Sequence, residues 1–362
     1  MTSKKAVVAM SGGVDSSVAA ALLVERGYDV TGIMLKLWKG EAANNNSGCC
    51  NLGAAEDARR VADKLGIPFY VLNFAETFED TVIRNFHDDY SAGRTPNPCV
   101  RCNQWIKFGA LLERADALGA DLLATGHYAR VRREAGSYRL LRGADSRKDQ
   151  SYVLWMLTQR ELARTVFPVG DMEKAQTRAI AESLGLRTAH KPDSQEICFV
   201  RGGDLPAYVE ENIPNASVPG PIVDGGGRTL GEHGGVARYT VGQRRGLGIA
   251  LGEPVFVTGI EAATNTLRVG PRADLAVGEM TLDEVTFVRE PVEGGVLVQY
   301  RAHGDVFPAL LQATSTRWTV TFDEPVEAIA PGQSAAFYSA ADPDELLGGG
   351  VIAATVPAAV PA

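Results

Sequence analysis

No stretch of the 362 residues approaches the ~20 consecutive apolar residues that a membrane helix needs. The opening MTSKKAVVAMSGG holds two lysines and then an apolar run of five, too short for a signal-peptide core, and glycines break it. A protein of the cytoplasm with no membrane partner is therefore expected. Cysteine is scarce and odd in number: Cys49, Cys50, Cys99, Cys102 and Cys198. That count argues against a disulfide framework and leaves metal binding or thiol chemistry. Positive charge is also in short supply. Lys and Arg number 36 against 44 Asp and Glu, a net charge of −8. A nucleic-acid binder is more usually basic, although a local basic face is enough to hold phosphates. One such window exists: residues 130–148 carry seven cations (Arg130, Arg132, Arg133, Arg139, Arg142, Arg147, Lys148) against Glu134 and Asp145. From charge alone it reads as a solvated hairpin. Internal repeats are absent.

What is present is an ordinary globular balance, 45% hydrophobic and 22% charged, in a chain long enough for two or three domains. The first two hundred residues alternate strand and helix. Strands are predicted at Ala6–Met10, Thr31–Trp38, Phe69–Phe74 and Asp121–Thr125. Helices are predicted at Asp15–Arg26, Leu52–Leu65, Thr77–Tyr90 and Ile106–Leu118. For Leu52–Leu65 the buried face is expected to be Ala55, Ala58, Ala62 and Leu65. This order implies α/β architecture with a parallel sheet and crossover helices. Near Arg201 glycine and proline become frequent (PNASVPGPIVDGGGRTLG), and short alternating runs follow at Pro254–Ile260, Thr266–Val269 and Val296–Tyr300, the pattern of β-rich domains. The expected units are 1–200, 201–278 and 279–362.

The sharpest local motif is AMSGGVDSS, residues 9–17, between a strand and a helix. Gly12 and Gly13 allow a tight turn and close backbone approach. The amides opening the helix then face an anion. Neither the GxxxxGK[ST] nor the GxGxxG spacing is present. The competing structural reading is a helix capped by Asp15 or Ser16. The full SGGVDSS resembles the loop of the ATP pyrophosphatase (PP-loop) superfamily, whose members transfer AMP to a carbonyl oxygen and release pyrophosphate. The loop alone leaves the acceptor open.

Cys99 and Cys102 lie in RTPNPCVRCNQWIKFG, where Pro96 and Pro98 are expected to forbid a helix before about Trp105. A thiol just ahead of a helix start is a better nucleophile. Cys198 lies in KPDSQEICFV, a polar loop entering a short apolar run. A zinc site lacks its second ligand pair. An iron–sulfur cluster on Cys99, Cys102 and Cys198 is a second arrangement. Persulfide chemistry between two cysteines is the third arrangement. Cys49 and Cys50 read as buried or incidental.

Taken together, the segments resemble the bacterial tRNA-specific 2-thiouridylases. The resemblance runs through LKLW (35–38), RTPNPCVRCNQWIKFG (94–109), ATGHYAR (124–130), KDQSYVLW (148–155), DSQEICFV (193–200), TVGQRRGLGI (240–249) and PGQSAAFY (331–338). It implies a PP-loop domain, a small central β-rich domain and a C-terminal β-barrel. The implied reaction adenylates the C2 oxygen of the wobble uridine with ATP and replaces it with persulfide sulfur, releasing AMP and pyrophosphate. It implies that Ala9, Met10, Ser11, Gly12, Gly13, Val14, Asp15 and Ser16 hold ATP, with Mg²⁺. Leu35, where the family usually has methionine, and Gly126 would line the nucleotide pocket. Asn97, Pro98 and Cys99 would face the uracil. Cys102 would be the nucleophile and Cys198 the persulfide carrier, joined in a transient disulfide. His127, Lys148, Asp149, Gln150, Tyr300, Arg301 and Gln333 would contact tRNA. The implied partners are the tRNA anticodon stem-loop and a protein persulfide donor, from a cysteine desulfurase or sulfur relay. No metal-ligating residue is implied. Cys99 departs from the family, many of whose members carry aspartate there. The alternative is a PP-loop ligase or amidotransferase acting on a small molecule, which would need neither reactive cysteines nor an RNA-binding barrel. A non-catalytic RNA-binding protein is a third reading, against which the intact loop speaks.

Overall fold

The computed structural model describes residues 3–38, 52–193, 197–213, 216–249 and 252–358. Five strands form the first sheet: β1 (Lys5–Ala9), β2 (Asp29–Lys36), β3 (Phe69–Asn73), β4 (Leu122–Ala124) and, further along, a two-residue strand at Thr165–Val166. Their spatial order is β3-β2-β1-β4 and then Thr165–Val166, with every pairing parallel. β1 hydrogen-bonds both β2 and β4, so the chain winds outward in opposite directions from it. The crevice beyond its C-terminal end is where open parallel sheets take ligands.

Helix α1 (Val14–Glu25) buries small and branched apolar residues together with Ser16 and Ser17. It packs with α2 (Leu52–Leu65) against one face of the sheet, through Val8, Val18, Ala58, Val61 and Ala124. The buried face of α2 is Ala54, Ala58, Val61 and Ala62, one step from the expected stripe. The other face is covered by two helical rods. The first joins α3 (Ala75–Phe78), a π-helical turn (Glu79–Ile83) and α4 (Arg84–Ser91). The second joins α5 (Pro98–Arg101), a π-helical stretch (Cys102–Ala110) and α6 (Leu111–Ala117). The expected late start of this second helix is wrong. Pro98 occupies the first helical position, where its missing N–H has no helical partner to lose.

The strand–helix alternation breaks after Gly126. β5 (Ala129–Glu134) and β6 (Ser137–Arg142) form an antiparallel hairpin that leaves the parallel sheet. It joins the C-terminal barrel instead, through Leu140 and Leu141 opposite Leu346 and Glu345. The Thr165–Val166 strand is thus β7; it comes after the short α7 (Gln159–Leu162) and is followed by α8 (Lys174–Ser183). Beyond α9 (Leu205–Asn212) comes a four-stranded sheet of β8 (Gly220–Val223), β9 (Thr229–His233), β10 (Phe256–Glu261) and β11 (Thr266–Gly270).

The last unit runs β12 (Ala276–Phe287), β13 (Gly294–Gln299), β14 (Phe307–Ala313), β15 (Trp318–Glu327), β16 (Ser334–Ser339) and β17 (Glu345–Pro357). Pairing of β12 with both β15 and β17 closes these strands into a six-stranded barrel. Closure leaves no free edge among them. Its interior is filled by Met280, Val298, Leu311, Val320 and Phe337.

Candidate active site

The turn after β1 sets the geometry. Gly12 adopts φ +71°, and a Cβ there would stand 2.2 Å from the carbonyl oxygen of Ala54, so no other residue fits. Gly13, not Asp15 or Ser16, caps α1, and no side chain takes the cap. The first-turn amides therefore stay directed at the crevice for an anion. Ser16 Oγ accepts from the Ser11 amide at 3.2 Å, and Ser17 Oγ donates to the Gly13 carbonyl at 2.7 Å, which fixes the loop's shape. Gly126, just past β4, lets that strand end meet the helix start: a Cβ would lie 2.6 Å from the Ser16 nitrogen. Leu35 in β2 is buried in the core on the far side of the sheet, the same core that holds Cys102.

An ion network closes over this loop. Lys174, from α8, places its Nζ 2.8 Å from each carboxylate oxygen of Asp15. The Tyr128 hydroxyl donates to Asp15 Oδ1 at 2.8 Å. Lys174 also reaches Asp193 Oδ1 at 2.8 Å, while Lys148 holds the other oxygen at 2.8 Å and Arg178 joins at 3.0 Å. Burial raises the Asp193 pKa, but hydrogen bonds and charge from Lys148 and Lys174 outweigh it and hold the carboxyl at about 2. Lys191 Nζ donates to the Gly12 carbonyl and to Asp57, each at 3.0 Å. Tyr128, Lys191 and Asp193 lie inside quoted motifs, but Lys174 and Arg178 lie in none, and their roles were invisible in the sequence.

The cysteines sit on the opposite face. Asn97 caps α5, its side chain accepting from the Val100 amide at 3.3 Å. Cys99 is exposed in the first turn, and Cys102, three residues on, is 9% exposed at the start of the π-helical stretch. The next residue, Asn103, donates to the Val153 carbonyl at 2.8 Å. Cys198 is half-buried in a turn and packs against the same apolar core that contains Cys102. Cys49 and Cys50 lie outside the described residues, as do residues 194–196 of the DSQEICFV segment. Among the described residues, no three His, Cys, Asp or Glu side chains converge so as to hold a metal ion.

The barrel holds the Thr95–Pro96 segment that leads into α5 from outside. Gln333 Nε2 donates to the carbonyls of Thr95 and Pro96 at 2.9 and 3.1 Å, and the Thr95 amide donates to the Pro331 carbonyl at 2.8 Å. Tyr300 is buried, its hydroxyl donating to the Glu327 carbonyl at 3.2 Å, and Arg301 donates to the Ala328 carbonyl at 2.7 Å. With Thr95, Thr240 and Gln243 these residues line a cleft of about 380 Å³ where all three units meet.

Other expected tRNA contacts are placed differently. His127 is buried, with Nδ1 2.6 Å from Thr125 Oγ1; burial, helped by the charge of Lys107, holds its pKa well below the usual value. Asp149 accepts from the Gly143 and Ser151 amides and pairs with Arg142 at 2.7 Å, which staples the turn. Gln150 is exposed and accepts from the Tyr128 amide at 3.0 Å. Of the seven cations in the basic window, five are closely paired: Arg130 with Asp344, Arg132 with Asp171, Arg139 with Glu345, Arg142 with Asp149 and Lys148 with Asp193.

Comparison with known proteins follows the same three-part division. The family description "tRNA methyl transferase HUP domain" matches residues 4–202, "tRNA methyl transferase PRC-barrel domain" matches 207–271 and "Aminomethyltransferase beta-barrel domain" matches 277–352. The tRNA-specific 2-thiouridylase MnmA of Clostridium perfringens is 46% identical over 358 residues, 97% of this chain and 99% of that one. Its counterpart from Geotalea uraniireducens is 48% identical over 359 residues, 96% and 95% of the two chains. Among solved structures, a 4-thiouridine synthetase–RNA complex with bound ATP is 16% identical with a TM-score of 0.36, covering 59% of this chain and 51% of that chain; a likeness of that size carries no argument.

Proposed function

The chain belongs to the tRNA-specific 2-thiouridylase family, and from that membership we propose how its own residues replace the C2 oxygen of the tRNA wobble uridine with sulfur. It is a tRNA sulfurtransferase that uses ATP. The observation that carries the mechanism is the uncapped start of α1 under the Asp15–Lys174–Asp193 network. Backbone amides and two lysines at one crevice suit a triphosphate whose pyrophosphate must leave. A ligase acting on a small molecule gains nothing from the full-length relatives.

In this reading residues Ala9–Ser16 grip the phosphates, and the flipped uridine presents its C2 oxygen to the α-phosphorus. Oxygen–phosphorus bond formation expels pyrophosphate, whose charge Lys174 and Lys148 meet. Mg²⁺ would enter on the phosphates themselves, since both oxygens of Asp15 already accept from Lys174. The terminal sulfur of a Cys198 persulfide then reaches C2, either directly or as sulfide released when Cys102 attacks the persulfide. AMP leaves, and Cys102–Cys198 remains as a disulfide. A protein persulfide donor reloads Cys198 after reduction. The units 201–278 and 279–362 clamp the anticodon stem, and the substrates, tRNA and ATP, put the reaction in the cytoplasm.

The test is direct. The pure protein is incubated with ATP, a sulfide source and unmodified tRNA, and the digested nucleosides are analysed. We expect 2-thiouridine, with AMP and pyrophosphate as products. ADP and phosphate in their place would reject the loop's assigned chemistry.

A further inference from the structure

Each turnover under the proposed persulfide route, on which this inference rests, ends with Cys102 bonded to Cys198. Cys102 is 9% exposed within the apolar core, and Cys198 is half-buried against that core. A folded protein reductant needs a sulfur it can touch, because thiol–disulfide exchange proceeds by in-line attack through a mixed disulfide. The one exposed thiol among the described cysteines is Cys99.

Cys99 and Cys102 lie three residues apart on one continuous helical rod, α5 running into the π-helical stretch. At that spacing side chains are neighbours, roughly 5–6 Å apart at Cβ. A disulfide brings its Cβ atoms to about 3.5–4.5 Å, so the rod's first turn must shift by roughly 1–2 Å for this bond to form. The C-x-x-C spacing is also that of dithiol redox motifs. The anchors around the pair hold the rod's start in place. Asn97 caps it, Gln333 pins the preceding carbonyls, and Arg101 is bound by Glu284 through two contacts of 2.6 Å.

We propose that Cys99 is the resolving thiol of the enzyme, relaying electrons from an external protein dithiol to the buried Cys102–Cys198 disulfide. The Cys99 thiolate attacks Cys102 Sγ. The Cys99–Cys102 bond forms, the Cys102–Cys198 bond breaks, and Cys198 leaves as a thiolate that takes up the proton Cys99 gave to solvent. Cys198 is then ready for the next persulfide. The exposed Cys99 sulfur is next attacked by the external dithiol, which ends as its own disulfide and returns both Cys99 and Cys102 as thiols. Two electrons enter per sulfur delivered.

The experiment uses the full chain with ATP, unmodified tRNA and a protein persulfide donor. A single turnover without reductant is quenched with N-ethylmaleimide and the disulfides are mapped on unreduced peptides. Wild type is expected to carry Cys99–Cys102, and Cys99→Ser to accumulate Cys102–Cys198. Multiple turnover is then compared with thioredoxin and its reductase against a small phosphine as reductant. Taking the ratio within each variant cancels any change in substrate affinity at position 99. Wild type should turn over comparably with both, while Cys99→Ser should fall roughly tenfold or more with thioredoxin and recover with the phosphine. A wild-type enzyme that carries Cys102–Cys198 alone, or a Cys99→Ser ratio equal to that of wild type, overturns the relay. Thiolation with no disulfide of any kind overturns both the relay and the persulfide route beneath it.

Discussion

Lys174 Nζ is equidistant, at 2.8 Å, from the two carboxylate oxygens of Asp15 in the phosphate loop. The same ammonium touches Asp193. One cation thus joins α1, α8 and the segment that leads to Cys198. The arrangement fixes a positive charge beside uncapped helix amides, where an arriving triphosphate completes it.

The first prediction follows from that position. Lys174→Met removes the charge yet keeps much of the volume, and Tyr128 still donates to Asp15. Pyrophosphate release is expected to fall roughly a hundredfold, the usual scale for losing one preorganised donor in a site that stabilises developing charge. Lys174→Arg should recover part of it. Stopped-time assays of AMP and pyrophosphate measure both, and an unchanged rate in Lys174→Met would remove Lys174 from the chemistry.

A second prediction concerns acid. Asp193 has a folded pKa of about 2, below its ordinary 3.8. The unfolded chain therefore binds more protons between these values, so stability falls as pH drops through that window and is fully present above it. Asp193→Asn should flatten this acid limb, in thermal melts recorded between about pH 5 and 2. Equal slopes for wild type and variant would mean the carboxyl is not held by its lysines in solution.

How much of this was legible beforehand depends on how local the cause is. Gly12 and the helix after it were readable because a tight turn and a helix start are decided within a few residues. Of the barrel strands only Val296–Tyr300 was read as alternation, and it falls on β13. The hairpin at 129–142 was readable as a hairpin, but not its partner, because Leu140 finds Leu346 across two hundred residues. The same holds for Lys174 and Asp15, 159 positions apart. The helix start at Pro98 was missed because proline was read as a breaker, when its first-turn position made it a starter.

A third prediction tests the joint between the barrel and the cysteine rod. Arg101 has a side chain 7% exposed, lies over the Trp105 ring at 4.8 Å and is paired bidentately with Glu284. Glu284→Gln leaves that guanidinium short of charge in the interior. The cost should be about 2 kcal/mol, below the range for fully buried pairs because Glu284 is half exposed. Urea denaturation measures it, and a change under a few tenths of a kcal/mol would show that solvent replaces the partner.

The last prediction separates two uses of the basic window. Arg139 is tied to Glu345 at 2.8 Å, to Asp342 and to Glu134 at 3.2 Å, and these carboxylates raise its pKa. Glu345 stands at the start of β17, so the pairing fastens the β5–β6 hairpin to the barrel. Arg147 is the contrary case: its side chain is 88% exposed, with Nε 3.9 Å from Asp145. A phosphate contact releases counterions and makes affinity fall with salt, each contact contributing roughly one unit of slope in log affinity against log salt. Arg147→Ala should therefore lower the salt slope of tRNA binding by about one while leaving the melting temperature unchanged. Arg139→Ala should do the reverse, lowering stability by about 1–3 kcal/mol through a broken partly buried pair and leaving the slope intact. Binding isotherms at four or five salt concentrations, with melts of each variant, give both numbers. If Arg139→Ala reduces the slope and Arg147→Ala does not, the hairpin itself faces the RNA, and its ion pairs must open when tRNA binds.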